Sequence, residues 1–408
     1  MKTKLVRWLR SAGRIGACAG LALAALVAWP PQSASGQERD ELTQNPIAGS
    51  QVFGAKGCVK CHSVNGLGGS VGPDLGRISR RRSFHELAAT MWNHLPSMGK
   101  AMREYGIERP QMDSREAGDL IGFLFTLDYF DPPGDVDIGQ RLFSEKKCVV
   151  CHQVGLYGGV VGPSLDFLAQ YGSPILVAAA MWNHGPTMAE NMKARGIDRP
   201  TFTGSELTDL ISYLESVGPE PLQGPLYVLP GRAGEGRIVF FEKRCIECHS
   251  VGGLGGRVGP DLAQRGVQMS LSQFAAGMWN KEPAMTAAMK RQGISVPQLG
   301  AGEMADLVAY LYSVRYFAES GDPDAGRGHL SRKGCLRCHS LTTARGSSAG
   351  NLSEVRDMGS PAAVFAALWN HSILMESAQK AEGFSWPNLT PEEMADVAAF
   401  LQSREARR

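Results

Sequence analysis

The stretch CVKCH at residues 58–62 has two cysteines separated by two residues and a histidine directly after the second cysteine. The chain of 408 residues repeats this pattern three times, as CVVCH at 148–152, CIECH at 245–249 and CLRCH at 335–339. Together the four copies hold eight of the nine cysteines. The sequence therefore predicts four similar structural units, which we number 1 to 4 in chain order.

The spacing of the copies predicts the domain boundaries. The first cysteines are 90, 97 and 90 residues apart, and the extra residues between copies 2 and 3 fall in a proline- and glycine-rich stretch at 218–231. Such a composition is typical of a stiff linker. We hypothesise that this linker splits the protein into two pairs of domains. The predicted domains are 45–131, 132–218, 231–318 and 321–408, with the linker at 219–230.

Residues 1–36 have the organisation of a secretory signal peptide. Five basic residues precede an uncharged run from Ile15 to Trp29, and small residues follow. The run has 15 residues, fewer than the roughly 20 that a membrane-spanning helix needs, so cleavage is favoured over an uncleaved inner-membrane anchor. We therefore expect a periplasmic or otherwise exported protein. Removing the five basic residues shifts the formal charge from +2 to −3, and no basic stripe indicates nucleic acid as a partner.

The pattern around the cysteines predicts helices. A glycine stands nine residues before each first cysteine, and a large apolar residue stands five before it. Near the end of each copy a glutamate follows three residues after aspartate, threonine or, in copy 3, glycine, which is typical of a helix start. These glutamates are Glu116, Glu206, Glu303 and Glu393. Each copy reads as a helix before the cysteines, a looped middle, a helix ending near a tryptophan, and a capped final helix, so the predicted fold class is all-α.

The repeated cysteine–histidine pattern is the one used for covalent haem attachment. A zinc site is the main alternative, but it would require cysteine pairs from separate copies to converge. A redox-active dithiol is a second alternative, and it leaves the four histidines unexplained. We predict four covalently attached haem c groups. The attachment residues are Cys58, Cys61, Cys148, Cys151, Cys245, Cys248, Cys335 and Cys338, and the first axial iron ligands are His62, His152, His249 and His339.

A second repeated phrase supplies candidates for the sixth iron ligand. It reads MWNHLPSM at 91–98, MWNHGPTM at 181–188, MWNKEPAM at 278–285 and LWNHSILM at 368–375. Its last methionine lies 36 residues after the motif histidine in every copy, whereas the first methionine and the histidine each change in one copy. Methionine at helical spacing is also common core filler, but that explains an unbroken interval poorly. We assign Met98, Met188, Met285 and Met375 as the second axial ligands.

Other residues of these segments have two possible roles each. Trp92, Trp182, Trp279 and Trp369 occur in every copy, and their indole N–H needs a partner, either a haem propionate or a group found by ordinary core packing. We expect His94, His184 and His371 to face the surface or a propionate, because Lys281 replaces the histidine in copy 3. The carbonyls of Pro73, Pro163 and Pro260 are candidate acceptors for the second ring nitrogen of the motif histidines, with Gly350 in that place in copy 4.

Over most of 45–404 the sequence resembles class I cytochromes c. The resemblance implies four tandem small helical domains, each wrapped around one haem, with His/Met ligation, electron transfer and assembly outside the cytoplasm. It also implies that the first helix crosses the final helix through a glycine and aromatic contact. The contact sets are Gly49, Phe53 and Phe123; Gly139, Phe143 and Tyr213; Gly236, Phe240 and Tyr310; and Gly326, Leu330 and Phe400.

These features indicate an electron carrier without catalytic residues. Four irons closed by histidine and methionine would leave no place for a substrate, so we predict a tetrahaem cytochrome that passes electrons between redox partner proteins. A membrane-bound dehydrogenase or oxidase is a possible partner. One alternative is a multihaem enzyme such as a peroxidase with one open haem, for which copy 4 is the candidate. Another is the cytochrome subunit of a dehydrogenase complex.

Overall fold

A computed structural model describes residues 45–77, 83–129, 131–169, 173–218, 231–263, 269–316, 320–342, 349–352, 354–356 and 358–405. The predicted signal peptide at 1–36 and the linker at 219–230 lie outside these residues. Within the described ranges, no helix is both long and apolar enough to cross a membrane.

Each repeat contributes three α-helices, which confirms the all-α class. Repeat 1 has α1 (Pro46–Ala55), α2 (Phe84–Glu104) and α3 (Ser114–Thr126). Repeat 2 has α4 (Val136–Glu145), α5 (Pro174–Ala194) and α6 (Glu206–Val217). Repeat 3 has α7 (Ala233–Glu242), α8 (Leu271–Arg291) and α9 (Ala301–Tyr316). Repeat 4 has α10 (Pro323–Arg332), α11 (Pro361–Glu382) and α12 (Pro391–Glu405).

Short elements lie between the first and middle helices. A 3₁₀ turn runs through each attachment motif, at Cys58–Lys60, Cys148–Val150, Cys245–Glu247 and Cys335–Arg337. In repeats 1 to 3 an antiparallel hairpin of two-residue strands follows. The strands are β1 (Ser63–Val64) with β2 (Leu67–Gly68), β3 (Gln153–Val154) with β4 (Tyr157–Gly158), and β5 (Ser250–Val251) with β6 (Leu254–Gly255). In the described residues of repeat 4, an isolated bridge joins Ser340 and Asn351.

The first and final helices of each repeat cross at the predicted glycine. A Cβ at Gly49 would clash with the carbonyl oxygen of Asp119, and Gly139, Gly236 and Gly326 meet the equivalent carbonyls. The aromatic contacts also form, because the ring centroids of Phe53 and Phe123 lie 5.5 Å apart. Those of Phe143 and Tyr213 lie 5.8 Å apart, and those of Phe240 and Tyr310 lie 5.6 Å apart. The close crossing predicted from the resemblance is confirmed.

Two polar contacts that the sequence analysis did not identify hold the same crossing in every repeat. In repeat 1 the carboxylate of Asp119 accepts a hydrogen bond from the backbone N–H of Asn45 at 2.8 Å. Lys56, two residues before the first cysteine, binds Glu116 at 2.7 Å. The equivalent pairs are Asp209 with Asp135, Asp306 with Arg232, Asp396 with Asp322, Lys146 with Glu206, Lys243 with Glu303, and Lys333 with Glu393. The lysines therefore tie each attachment motif to the start of its final helix.

The middle helices differ from the prediction. We expected a helix ending near the tryptophan, but α2, α5 and α8 each continue for more than two turns beyond it, and the proline four residues after the tryptophan lies inside the helix. Proline removes one intrahelical hydrogen bond and leaves a carbonyl without its partner. In α2 the carbonyl of Trp92, freed by Pro96, accepts a hydrogen bond from the Trp386 indole of repeat 4 at 3.1 Å. Contact with another repeat therefore compensates for the break.

The repeats pack in two pairs that do not follow the linker. Helix α5 of repeat 2 packs against α8 of repeat 3, and helices α2 and α3 of repeat 1 pack against α11 and α12 of repeat 4. The hypothesis that the linker separates two pairs of domains is wrong, because the repeats on either side of the linker, 2 and 3, pack against each other. The hydrophobic core accordingly runs across repeat boundaries.

Candidate haem sites

Each attachment motif begins with a residue in the left-handed conformation. These residues are Gly57, Lys147, Arg244 and Gly334, with φ of 78°, 63°, 62° and 81°. The 3₁₀ turn then brings side chains three residues apart onto one side, so the two cysteines of each motif face together. None of the eight forms a disulfide. Burial raises the pKa of the first thiol in each motif, to about 11 for Cys148 and Cys245.

The motif histidine is held by a backbone carbonyl, as predicted. The Nδ1–H of His62 donates to the carbonyl of Pro73 at 3.0 Å, and His152 and His249 donate to Pro163 and Pro260 at the same distance. In repeat 4, His339 donates to Gly350 at 2.9 Å. Because a carbonyl can only accept, each ring carries its proton on Nδ1 and leaves Nε2 free to bind a metal.

A glycine beside the ring keeps the carbonyl close. A Cβ added at Gly72 would overlap the ring of His62, and Gly162 and Gly259 lie equally close to the rings of repeats 2 and 3. Any larger residue would push the ring away from its acceptor. The glycines of this segment therefore serve the histidine, which is the close backbone approach that glycine permits.

Repeat 1 contains a cavity of about 370 Å³ that fits the predicted cofactor. Cys58, Cys61 and His62 line one wall, and Met98 lies on the lining as well. Most of the remaining lining is apolar, including Leu87, Leu120 and Phe125. Two thiols, a free imidazole nitrogen and a thioether around an apolar cavity are the groups that a covalent haem requires. Among the described residues, no group of three His, Cys, Asp or Glu side chains converges as the zinc alternative would need.

The middle helix brings two candidate distal ligands to the haem site. Met98 and His94 both line the cavity of repeat 1, and Met188, Met285 and Met375 are half-buried on the equivalent helices. In repeat 4 the ring centroids of His371 and His339 lie 6.0 Å apart. Burial, and then the neighbouring motif histidine, lower the pKa of His94 and of His371. Ligation by the methionines stays a prediction, with the histidine one turn earlier as its direct competitor.

The four tryptophans pack in the hydrophobic core, as the second of the two sequence-based readings proposed, but the partner of each indole N–H lies in another repeat. Trp92 of repeat 1 donates its indole N–H to the carbonyl of Pro387 in repeat 4 at 2.7 Å, and Trp369 donates to Pro110 at the same distance. The second pair of repeats is crossed in the same way, from Trp182 to Pro297 and from Trp279 to Pro200. Each indole N–H therefore binds the partner repeat, and the tryptophans join repeats.

The asparagine after each tryptophan completes this contact, and the sequence analysis missed it. The side chain of Asn93 accepts from the N–H of Leu389 at 2.9 Å and donates to the carbonyl of the same residue at 2.8 Å. Asn183, Asn280 and Asn370 bind Leu299, Phe202 and Met112 in the same two-bond manner. The signal was present in the sequence, because this asparagine is identical in all four copies.

Comparison with known families identifies the chain. The family model for cytochrome c matches residues 47–128, 136–218 and 233–315, which together make up more than half of the chain. Comparison with curated proteins and with solved structures finds no significant match. Repeat 4 lies outside the three matches, although it has the same three helices and the same histidine–carbonyl bond. The chain belongs to the cytochrome c family, with tandem copies of the domain.

Proposed function

We propose that the protein is an exported tetrahaem c-type cytochrome that transfers electrons between redox partner proteins. The observation that carries this proposal is the fourfold histidine–carbonyl bond, which occurs in repeat 4 as well as in the three repeats matched by the family model. A bound haem c supplies a one-electron Fe(III)/Fe(II) couple whose potential depends on its axial ligands.

The protein's own residues would hold the cofactor in place. The cysteines fix the cofactor covalently, and the carbonyl bond orients the imidazole and raises its basicity as a ligand. The methionines Met98, Met188, Met285 and Met375 would supply a further ligand to the bound metal, and the apolar lining of the repeat 1 cavity would keep water away from it. With a histidine and a methionine both bound to it, the metal would have no place for a substrate, and the protein would carry electrons. The donor and acceptor are proteins outside the cytoplasm, for which a membrane-bound dehydrogenase or oxidase is the candidate.

The test combines haem counting with ligand variants. Pyridine haemochrome analysis of the holoprotein should give four covalent haems per chain, and redox titration should show four one-electron steps. Met98→Ala should remove a quarter of the near-infrared sulfur-to-iron charge-transfer band and lower the potential of one haem, because methionine ligation raises it. His94→Ala, one helical turn away, is the matched control and should leave the band unchanged.

Three results would count against this proposal. Fewer than four covalent haems would remove repeat 4 from the count. Loss of a low-spin signal in His94→Ala but not in Met98→Ala would make the histidine the ligand. A high-spin ferric haem that binds cyanide directly would favour the peroxidase alternative.

A further inference from the structure

Repeats 1 and 3 meet through four aromatic side chains. The rings of Phe125 in repeat 1 and Tyr316 in repeat 3 stack with centroids 3.7 Å apart and planes at 9°. The rings of Tyr129 and Tyr312 meet edge to face at 4.6 Å, and all four side chains are at most 5 % exposed. The Tyr316 hydroxyl also donates to the carbonyl of Phe125 at 3.5 Å. Stacked and edge-to-face geometries are the favourable ones for aromatic pairs.

The two repeats contribute residues from equivalent positions to this contact. Counted from the glutamate near the start of the final helix, Phe125 and Tyr312 occupy the same position, and Tyr129 and Tyr316 lie four residues later. The first position holds Glu215 in repeat 2 and Gln402 in repeat 4. A carboxylate or an amide cannot replace the buried ring without losing its hydration. Repeats 1 and 3 therefore have the residues for this contact, and repeats 2 and 4 do not.

The same residues touch the haem site of repeat 1 from two sides. Phe125 lines the cavity, so the stack with Tyr316 connects that cavity directly to the final helix of repeat 3. Trp369 of repeat 4 also lines the cavity, where it bonds to Pro110. Repeat 1 is thus in aromatic contact with repeats 3 and 4. Repeats 2 and 3 share the same crossed tryptophan contact.

We propose that electrons pass between the haem sites in the order 2–3–1–4, or its reverse, and not in chain order. This inference rests on the proposed function. In each step one electron would pass from a bound haem in the Fe(II) state to the next in the Fe(III) state, so that the first is oxidised and the second reduced; no bond changes and no proton moves. Tunnelling rates fall exponentially with the separation of the redox centres through packed protein, so transfer favours the contacts at which buried rings bridge two repeats. The tryptophan contacts serve the outer steps, and the Phe125–Tyr316 stack serves the central one.

The route can be tested by filling the haems from one end. A ruthenium photoreductant is attached to Leu156→Cys, at a fully exposed position in the hairpin of repeat 2 (100 % exposed). A train of flashes delivers one electron at a time into the oxidised holoprotein. In the parent protein, successive flashes should reduce all four haems at one rapid rate, followed by the absorbance change of the haems. Tyr316→Glu places a charge in the stack. In this variant the rapid phase should stop at half of the total absorbance change, because only the haems of repeats 2 and 3 are reduced rapidly.

Two matched variants control for the added charge and the lost hydroxyl. Phe241→Glu puts the same charge on an exposed aromatic of repeat 3 (49 % exposed), and Tyr316→Phe keeps the stacked ring. Both should fill completely at the parent rate. If Tyr316→Glu loses haem, Phe125→Leu is used in its place. In this variant the second half of the absorbance change should be slower than in the parent protein.

The outcomes separate the route from the function. If Tyr316→Glu and Phe125→Leu fill all the haem at the parent rate, the central step does not cross this stack and the proposed order is overturned. A diffusing reductant should reduce all four haems in every variant. If it fails to do so in the parent chain, the fault lies in the proposed tetrahaem function and not in the order of transfer.

Discussion

The contact between repeats 1 and 4 and the contact between repeats 2 and 3 share one geometry. They differ in the arrangement of their charged side chains. Both use crossed tryptophan–proline bonds and paired asparagines. Between repeats 2 and 3 the carboxylate of Glu282, 2 % exposed, binds Arg199 at 2.7 Å. Between repeats 1 and 4, Arg109 binds Ser372 at 2.6 Å and Glu376 at 3.2 Å. The two contacts therefore differ in the position of the buried acid.

The position of the acid follows directly from the repeated phrase. Glu282 and Ser372 both stand three residues after the tryptophan, whereas Glu376 stands seven after it. Arg109 and Arg199 both stand directly before the proline whose carbonyl accepts the tryptophan bond. The same arginine position therefore serves two different acid positions.

The two contacts also use the proline-freed carbonyl differently. Between repeats 1 and 4, the Trp92 carbonyl accepts from Trp386, whose ring lies 4.5 Å from that of Trp92. Between repeats 2 and 3, the Trp279 carbonyl accepts from Arg199, whose guanidinium lies 3.6 Å from the ring centroid of Trp279. The freed carbonyl therefore binds an indole in one contact and a guanidinium in the other, which predicts different responses to mutation.

Removal of a tryptophan should give the largest difference in stability between the two contacts. Trp279→Ala and Trp369→Ala each delete a buried indole and its interdomain bond, at a cost of about 3–5 kcal/mol. The loss should be greater for Trp279, because Arg199 lies 3.6 Å from that ring whereas Arg109 lies 5.9 Å from Trp369. Amide hydrogen exchange of α5 and α8, compared with α2 and α11, measures the local opening free energy of each contact. Equal losses would show that the cation contributes nothing.

Neutralising the buried glutamates should give an intermediate difference in stability between the two contacts. Glu282→Gln leaves Arg199 with only carbonyl acceptors, which should cost about 3 kcal/mol for a broken buried ion pair. Glu376→Gln should cost less, about 1 kcal/mol, because Arg109 retains Ser372 and the Leu95 carbonyl and an ordinary hydrogen bond is worth about that much. The same exchange measurement applies. The double variant Arg199→Glu, Glu282→Arg should recover part of the loss, and no recovery would argue against a stabilising role of the charge pair.

The smallest difference should appear in the response to acid. Burial alone would raise the pKa of Glu376, but Lys380 and Arg103 outweigh burial and lower the pKa. A lowered folded-state pKa contributes stability above the unfolded value of about 4.3, and this stability is lost as the pH falls through the folded-state pKa. The contact between repeats 1 and 4 should therefore weaken below about pH 4.3. Denaturation midpoints measured over a pH series should show this slope in the parent and a reduced slope in Glu376→Gln.

Much of each single repeat was predictable from the sequence because its determinants are local. The glycine crossing, the final helix and the carbonyl bond of the histidine depend on fixed intervals within about 90 residues. The middle helix was predicted wrongly for a physical reason. Pro96 looks like a helix end because its own helix cannot satisfy the freed carbonyl of Trp92, and the donor that satisfies it, Trp386, lies in another repeat.

The sequence by itself determined four cysteine–histidine motifs, an all-α repeat and a tryptophan–asparagine pair repeated in every copy, because these depend on residue identity and short spacing. Only the tertiary structure decided that repeat 1 joins repeat 4, that repeat 2 joins repeat 3, and that repeats 1 and 3 meet at Phe125 and Tyr316. Four nearly identical contact phrases leave several pairings open. The pairing depends on contacts between residues that are far apart in the sequence, and short intervals within one repeat carry no information about them.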